Sequence, residues 1–240
     1  MHTGFIHSFE SMGLVDGPGI RSVVFLQGCR LRCAFCHNPD TWAMTGGTPT
    51  EPEALVRKLS RFRSYYQKSG GGVTFSGGEP LMQPDFLLDC LRLCREAGIH
   101  TCIDTAGVGL GDYADILQYT DLVLYDVKHH DPAAYEVLTG RPMDETQRFV
   151  EAVRQSGTPM WVRHVVVPGR TDSAEPLRAL RAYVDTLPNV RKVELLPYHK
   201  LGENKYEVLG ISYPLAGTPP MDKTLCASLQ QQFFGDLGGE

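Results

Sequence analysis

Three cysteines stand within eight residues of this chain, at Cys29, Cys33 and Cys36 in the stretch GCRLRCAFCHNPD. Their spacing is C-x3-C-x2-C. The chain has seven cysteines among 240 residues, so such a trio would arise by chance in about 0.006 of chains of this length and composition. Thiols at such short intervals are typical of metal ligands. The spacing therefore indicates a bound metal ion or an inorganic cluster.

The other four cysteines are predicted to be structural. Cys90 and Cys94 repeat the C-x3-C spacing, but they continue the apolar stripe of a predicted helix, where a free thiol behaves as a small hydrophobic side chain. Cys102 alternates inward on a predicted strand, and Cys226 falls on the last predicted helix. An odd number of cysteines also argues against a disulfide framework.

Three identities stay open for the group on the clustered thiols. A C-x-x-C-H haem signature runs from Cys33 to His37, but it leaves Cys29 unused and is expected in an exported protein. A structural zinc site closes with four ligands, and a second pair is missing here. Irons of an iron–sulfur cluster take thiolate ligands. Three thiolates would leave one iron of a four-iron cluster open for a substrate or cofactor, so the cluster is favoured.

Composition excludes several other classes of protein. The net charge is −5 and the pI is near 5.9, which does not suggest a nucleic-acid-binding surface. No apolar run approaches the roughly 18 residues that a membrane span needs. The first residues, MHTGFIHSFESMG, lack the basic and apolar regions of a signal peptide. We expect a soluble cytoplasmic protein that binds neither nucleic acid nor membrane.

The elements that position the thiols alternate between strand and helix. The predicted strands are 20–26, a strand beginning near 73, 100–104, 122–126, 160–167 and 192–199. The predicted helices are 53–66, 84–97, a short one between the third and fourth strands, 146–155, 175–187 and 222–233. Six strands joined by helices or crossovers predict a parallel sheet. The expected fold is a single α/β domain over 1–240, a partial (β/α)6 TIM-like barrel.

The unusual residues share one position, just after or near the end of each predicted strand. In chain order they are the thiols, Gly77-Gly78-Glu79, Asp104-Thr105, Asp126-Val127-Lys128, Arg163 and His199. Barrel enzymes place their chemistry at that rim, because the strand ends converge there. Asp104 and Asp126 would bring like charges together, which is unfavourable unless a cation or a proton intervenes. An ordinary ion pair between Asp126 and Lys128 is the alternative.

These motifs together resemble the radical S-adenosylmethionine superfamily, and within it the pyruvate formate-lyase activating enzymes. The superfamily pattern is C-x3-C-x2-C after the first strand and Gly-Gly-Glu after the second. The matching segments are IHSFESMGLVDGPGIR, GCRLRCAFCHNPDTW, SGGGVTFSGGEPL, GIHTCIDTAG, VLYDVKHHD, WVRHVVVPGRTD and ELLPYHKLG. They extend to about residue 202, and VDGPGIR with CHNPDTW narrows the resemblance to activators of glycyl-radical enzymes.

The resemblance implies two cofactors, a [4Fe-4S] cluster and S-adenosylmethionine. Cys29, Cys33 and Cys36 would bind the cluster, and the S-adenosylmethionine would chelate its open iron. The residues implied to line the S-adenosylmethionine site are Phe35, Cys36, His37, Gly77, Gly78, Glu79, Asp126, Val127, Lys128 and His199. Glycine lets backbone carbonyls approach a ligand closely, here the methionyl ammonium. No protein general base is assigned, since the cofactors supply the hard chemistry.

The resemblance also implies a cation, a substrate and an electron donor. A monovalent cation, Na+ or K+, would lie between Asp104, Thr105, Asp126 and the Leu124 carbonyl. Asp16, His37 and Arg163 would position the glycine of pyruvate formate-lyase, from which a 5′-deoxyadenosyl radical abstracts hydrogen. Reduced flavodoxin or ferredoxin would supply electrons, and Arg30 and Arg32 beside the cluster could steer an acidic donor. The protein is expected to be a monomer.

Two features bear on which glycyl-radical enzyme is activated. No cysteine occurs between His37 and Asp89, where many other activators carry a cysteine-rich ferredoxin insert. This compact form favours pyruvate formate-lyase. Tyr135 stands where the family often has His, and Met143 stands where it often has Asn. Both lie outside the ligand motifs, so they bear on the identity of the partner enzyme more than on the radical chemistry. The alternatives are activation of another glycyl-radical enzyme, a small-molecule radical reaction, and an iron–sulfur protein for electron transfer or redox sensing.

Overall fold

A computed structural model describes residues 1–238 of the chain, which form an open eight-stranded sheet with helices packed against it. The strands are Gly4–Gly13 (β1), Arg21–Leu26 (β2), Thr48–Thr50 (β3), Gly72–Gly77 (β4), His100–Thr105 (β5), Leu122–Asp126 (β6), Met160–Val166 (β7) and Val190–Pro197 (β8). Their order in the sheet is β3-β1-β2-β4-β5-β6-β7-β8. All pairings from β2 to β8 are parallel. The six-stranded, partial-barrel prediction is thus confirmed for these strands.

Two antiparallel strands, β1 and β3, extend the sheet beyond the prediction. β1 alternates between covered and exposed residues and contains His7, Ser8 and Glu10, so no continuous apolar run marks it. β3 is three residues long and carries Pro49, which normally occurs only at a sheet edge. Both strands complete the edge beside β2, and their weak patterns explain why the sequence did not predict them.

The opposite edge of the sheet is β8, and a helix side chain covers part of it. The side-chain carbonyl of Gln230 accepts a hydrogen bond from the Leu195 N–H at 2.7 Å. The Gln230 amide also donates to the Val193 carbonyl at 3.0 Å. A single glutamine thereby satisfies two backbone groups of the outermost strand.

The helices follow the predicted alternation with three differences. Their bounds are Pro52–Ser60 (α1), Arg63–Ser69 (α2), Pro84–Glu96 (α3), Ala114–Gln118 (α4), Pro132–Thr139 (α5), Asp144–Ser156 (α6), Ala174–Val184 (α7), Glu203–Leu209 (α8) and Lys223–Phe234 (α9). The helix predicted over 53–66 is two helices, because the Phe62 N–H bonds to the Leu59 carbonyl three residues back. α5 and α8 were not predicted. They are short, and Val137 and Val208 on them are 81% and 87% exposed, so neither shows an apolar stripe.

The core lies between the sheet and the helices and contains Cys90, Cys94 and Cys226, whereas Cys102 belongs to a smaller cluster with Leu122 and Leu124. Val73 and Phe75 on β4 are fully buried against side chains of α1 and α3 in one apolar cluster. Cys90, Cys94, Cys102 and Cys226 are buried free thiols, as predicted. Within residues 1–238, the helices are too short or too polar to cross a membrane.

Candidate active site

A cavity of about 1060 Å³ opens where the parallel strands end, and it gathers nearly all of the predicted site residues. The predicted residues on its wall are Asp16, Cys29, Cys33, Phe35, Cys36, His37, Gly77, Gly78, Glu79, Asp104, Thr105, Asp126, Lys128, Arg163 and His199. Leu124 and Val127 do not line it. Leu124 is a fully buried position of β6, and the Val127 carbonyl accepts a hydrogen bond from His164 Nδ1 at 2.8 Å.

The three clustered thiols lie in one part of this wall. Cys29 and Cys33 are buried in a small apolar group with Leu31, and Cys36 packs against that group. Burial raises the pKa of all three thiols, to about 12 for Cys33, and the neighbouring thiols raise the pKa of Cys29 further. The bare thiols are therefore protonated at neutral pH, and a metal must displace those protons when it binds.

The number of thiols bears on which metal group they could hold. Among the residues that the structure describes, no three His, Cys, Asp or Glu side chains come close enough to hold one metal ion. Ligands of one zinc ion must all reach the same atom, whereas each thiolate of a four-iron cluster binds a different iron. As a donor set, three thiols without a fourth protein ligand suit a four-iron cluster with one open iron better than a closed zinc site.

The cysteine loop is held by the end of α5, an element that the sequence did not predict. The Arg32 N–H donates to the Thr139 carbonyl at 2.8 Å, and the Ala34 N–H donates to the Leu138 carbonyl at 2.9 Å. Within the loop, the Cys36 N–H donates to the Cys33 carbonyl at 3.0 Å. These bonds fix the backbone that carries two of the three thiols.

A set of side chains around Trp42 braces the loop from its other side. Arg32 Nη1 donates to the carbonyls of Cys29 and Leu31 at 2.8 and 2.7 Å, and its guanidinium lies 4.8 Å from the centre of the Trp42 ring. Tyr206 Oη donates to the Cys36 carbonyl at 3.0 Å. Arg32 remains exposed, whereas the Arg30 guanidinium is paired with Glu145. The only sequence signal for this brace was the tryptophan in CHNPDTW.

The glycines after β4 are required by close contact between two backbones. Gly77 has φ +115°, and a Cβ at Gly78 would lie 2.4 Å from the Gly28 carbonyl oxygen. The Glu79 N–H donates to that same carbonyl at 2.9 Å. The Gly-Gly-Glu segment therefore lies directly against the residue that precedes Cys29, and any side chain there would push the cysteine loop away.

Glu79 joins the ends of β4 and β5 from a position that is 1% exposed. Its carboxylate accepts hydrogen bonds from Thr105 Oγ1 at 2.5 Å and from the Ala106 N–H at 2.9 Å. Burial raises the pKa of Glu79 to about 7, against the opposing effect of these hydrogen bonds. Glu79 therefore holds the two loops together, in addition to lining the cavity.

Two imidazoles stack where the cysteine loop meets the end of β8. The rings of His37 and His199 lie 3.9 Å apart with an angle of 13° between their planes. His37 Nε2 lies 3.2 Å from the His199 carbonyl oxygen. Burial, with help from the nearby His199, lowers the pKa of His37 to about 4. His37 is therefore neutral near pH 7.

The carboxylates at the ends of β5 and β6 have cationic partners. Asp126 lies 2.7 Å from Lys128 Nζ, so the ion pair considered as the alternative to a bound cation is formed. Burial raises the pKa of Asp126, but Lys128 and Arg163 outweigh that effect and lower it overall. Burial also raises the pKa of Asp104, to about 6. Ser76 Oγ donates to one Asp104 oxygen at 2.7 Å, while the other oxygen is buried without a hydrogen bond, 3.4 Å from Arg163.

Asp16 and Arg163 lie on the same side of the cavity. Burial raises the pKa of Asp16, which Arg163 partly offsets. The fully buried Arg21 fixes the loop that carries Asp16 through Thr74. Arg21 Nε donates a hydrogen bond to Thr74 Oγ1 at 2.7 Å. Thr74 Oγ1 in turn donates to the Asp16 carbonyl at 2.6 Å. Sequence reasoning found Asp16 but missed Arg21, because the contacts of Arg21 lie far away in the chain.

The chain is similar in sequence and in fold to known proteins. The model of the radical SAM superfamily matches residues 23–180. The chain is 57% identical over 223 residues to a pyruvate formate-lyase-activating enzyme of Clostridium pasteurianum, covering 93% of this chain and 94% of that one. It is 42% identical over 231 residues to the enzyme of that name from Listeria monocytogenes, covering 93% of each.

The solved structures of similar fold include a domain of pyruvate-formate lyase-activating enzyme from Bacteroides vulgatus. The TM-score is 0.56 at 23% identity, and the match covers 71% of this chain and 98% of that one. At this identity the likeness supports the fold alone. That fold is the open, mostly parallel sheet described above.

Proposed function

The chain belongs to the radical SAM superfamily and, within it, to the pyruvate formate-lyase-activating enzymes, and from that premise we propose that it installs a glycyl radical on pyruvate formate-lyase. The family implies a [4Fe-4S] cluster and S-adenosylmethionine as cofactors. The observation that carries the proposal is the trio of thiols on the wall of the cavity that also gathers the Gly-Gly-Glu segment and the charged residues at the strand ends.

In the proposed site Cys29, Cys33 and Cys36 hold the cluster. When bound, the cluster and S-adenosylmethionine supply a 5′-deoxyadenosyl radical that takes a hydrogen atom from the substrate glycine. The chain's own residues orient and enclose these partners. The burial of Cys29 and Cys33 supports this role, because it keeps water from the thiolates.

The proposed S-adenosylmethionine site is the part of the cavity next to the thiols. Gly77 and Gly78 present backbone there without side chains, and Lys128 brings a positive charge suited to a carboxylate. The side chains of Phe35, His37, Glu79, Asp126 and His199 line the same cavity. Val127 would contribute only through its backbone, since its side chain is 2% exposed.

A monovalent cation beside Asp104, Thr105, Leu124 and Asp126 remains part of the proposal. Its support is the Asp104 oxygen that is buried without a hydrogen bond. That oxygen lies 3.4 Å from the Arg163 guanidinium without a hydrogen bond, so it can still accept a cation. Lys128 and Arg163 already neutralise part of the local negative charge, so Na+ or K+ is preferred here to a divalent ion.

The substrate glycine is proposed to enter between Asp16, His37 and Arg163. The carboxylate and the guanidinium can hydrogen-bond a peptide backbone, and the neutral His37 can do so without adding charge. Hydrogen-atom abstraction moves no separate proton, so none of these residues needs to act as a base. Flavodoxin or ferredoxin is the proposed electron donor.

The test uses anaerobically reconstituted protein with dithionite and S-adenosylmethionine. We expect release of 5′-deoxyadenosine and methionine, and electron paramagnetic resonance should detect a glycyl radical on added pyruvate formate-lyase. Cofactor cleavage without that radical would reject the partner and point to another glycyl-radical enzyme. An intact cluster without cleavage of S-adenosylmethionine would reject the radical chemistry and favour an electron-transfer protein.

A further inference from the structure

The indole of Trp42 lies against the cysteine loop. It packs on the apolar group of Cys29, Leu31 and Cys33, with Cys36 beside it. The Arg32 guanidinium covers its ring, and the Tyr206 ring meets it edge-on at 5.8 Å and 88°. Tyr206 and Arg32 also hydrogen-bond the loop's carbonyls. Trp42 is therefore held between two side chains that are themselves tied to the thiol-bearing backbone.

The indole N–H of Trp42 is a buried donor without a normal hydrogen bond to any protein atom that the structure describes. Trp42 and Cys36 pack against the same small group of side chains, which carries the other two clustered thiols. A buried donor that stays unpaired destabilises the protein. A protonated thiol is a weak acceptor, whereas a thiolate bound to iron carries more negative charge and accepts more strongly.

We propose that Trp42 is a positioning residue whose indole N–H hydrogen-bonds the Cys36 sulfur in the iron-loaded protein and raises the reduction potential of the cluster. A hydrogen bond to a ligand sulfur favours the more negative, reduced state, so it moves the potential upward. The positive charge of Arg32 over the ring withdraws electron density from the indole and strengthens its N–H as a donor. This inference takes one point from the proposed function, namely that Cys36 is a ligand of the cluster.

The experiment removes the N–H and keeps the shape of the side chain. The chain has two tryptophans, Trp42 and Trp161. In a Trp161→Phe parent, global replacement of tryptophan by β-(3-benzothienyl)alanine changes Trp42 alone and puts sulfur in place of the N–H. The Trp161→Phe parent is the matched control, because Trp161 lies on β7 next to Lys192 rather than against the thiols. Trp42→Phe is the second variant, and iron content is measured first.

The readout is a redox titration followed by electron paramagnetic resonance. At a fixed potential near the midpoint of the parent, we expect the ratio of reduced to oxidised cluster to fall three- to tenfold in both variants. A tenfold fall corresponds to about 59 mV for a one-electron couple. The melting temperature of the iron-free protein should change in Trp42→Phe, which loses packing, and stay close to that of the parent in the benzothienyl variant.

Several outcomes would overturn the inference. An unchanged ratio in the benzothienyl variant would show that the N–H does not act on the cluster. A fall in Trp42→Phe alone would assign the effect to packing or solvent access. A benzothienyl variant that melts like the parent but takes up no iron would make Trp42 a determinant of binding rather than potential. A parent that takes up no iron would reject the proposed cluster as well.

Discussion

On α3, Cys90 and Cys94 lie one helical turn apart, and both are fully buried in the main apolar cluster. Cys29 and Cys33 have the same spacing but lie on an irregular loop at the cavity wall, next to a third thiol. Burial raises the pKa of all four thiols, so acidity does not separate the two pairs. The helix aligns its sulfurs with neighbouring leucines, whereas the loop brings its sulfurs to a space that a ligand can enter. Backbone conformation, rather than spacing, decides what the thiols do.

The largest expected effect comes from removing one thiol of each pair. Cys33→Ala should lose nearly all cluster iron, because three ligands are the fewest that hold a four-iron cluster with one open iron. Cys94→Ala should keep the iron content and absorbance of the unchanged protein. Iron and sulfide analysis after anaerobic reconstitution makes the measurement. Normal iron content in Cys33→Ala, or lost iron in Cys94→Ala, would contradict the comparison.

The next effect concerns the backbone contact that places the cysteine loop. Gly78→Ala would bring a Cβ within 2.4 Å of the Gly28 carbonyl oxygen, so we expect a loss of about 3 kcal/mol in the free energy of unfolding and reduced iron uptake. Gly217→Ala is the control, since no atom lies within 4 Å of its added Cβ. Urea unfolding of the iron-free proteins measures the difference. Equal stability of the two variants would mean that the loops can separate freely.

The next effect is a dependence of the unfolding free energy on pH, and we expect it to be somewhat smaller. It belongs to Glu79 in the cavity wall and has no counterpart in the packing of Cys90 and Cys94. Burial raises the pKa of Glu79 to about 7 from 4.5. The folded protein therefore holds the proton more tightly than the unfolded chain, and the resulting stability is present below pH 4.5 and lost as the pH rises through about 7. The shift is worth at most about 3 kcal/mol.

The measurement at Glu79 is the difference in unfolding free energy between the unchanged iron-free protein and Glu79→Gln. That difference should fall as the pH rises from 4.5 to about 7. Taking the difference is necessary because Asp104 titrates in the same range with the same sign, and His37 and His164 titrate there with the opposite sign. A difference that does not change with pH would show that Glu79 is not buried in its neutral form.

The smallest effect is expected on the helix. Cys90→Ala should cost about 1 kcal/mol of unfolding free energy, because it removes one buried sulfur and leaves a small cavity. Cluster absorbance and the release of 5′-deoxyadenosine should stay unchanged. Thermal melting and the activity assay check both parts. A loss of activity at constant stability would give Cys90 a role that its packing does not explain.

The sequence singled out the clustered thiols and predicted the strand ends, because both have strong local signals. A C-x3-C-x2-C trio is rare, and the apolar runs of β2 and β4 to β8 are easy to read. β1 and β3 escaped prediction because edge strands need no continuous apolar run. α5 escaped because it is short, although its carbonyls hold the cysteine loop.

The supports of the site were the least predictable part. Arg21 and Trp42 lie within the motifs VDGPGIR and CHNPDTW, and Tyr206 lies in none of the quoted segments. The roles of all three depend on partners that the chain brings near only when it folds. Tyr206 hydrogen-bonds Cys36, which is 170 positions away in the sequence, and Arg21 hydrogen-bonds Thr74, which is 53 positions away. The position of Glu79 was predicted correctly, but its contacts with Thr105 and Ala106 depend on how β4 and β5 pair.

An open sheet, unlike a closed barrel, leaves two outer strands whose backbone could recruit a strand from another molecule. On one side β3 is only three residues long and has Pro49 at its centre, which cannot donate a hydrogen bond. On the other side Gln230 occupies the backbone of β8 at Val193 and Leu195. Both edges of the open sheet are thus partly protected against pairing with a strand of another molecule, so the sheet can stay open without offering a ready template for aggregation.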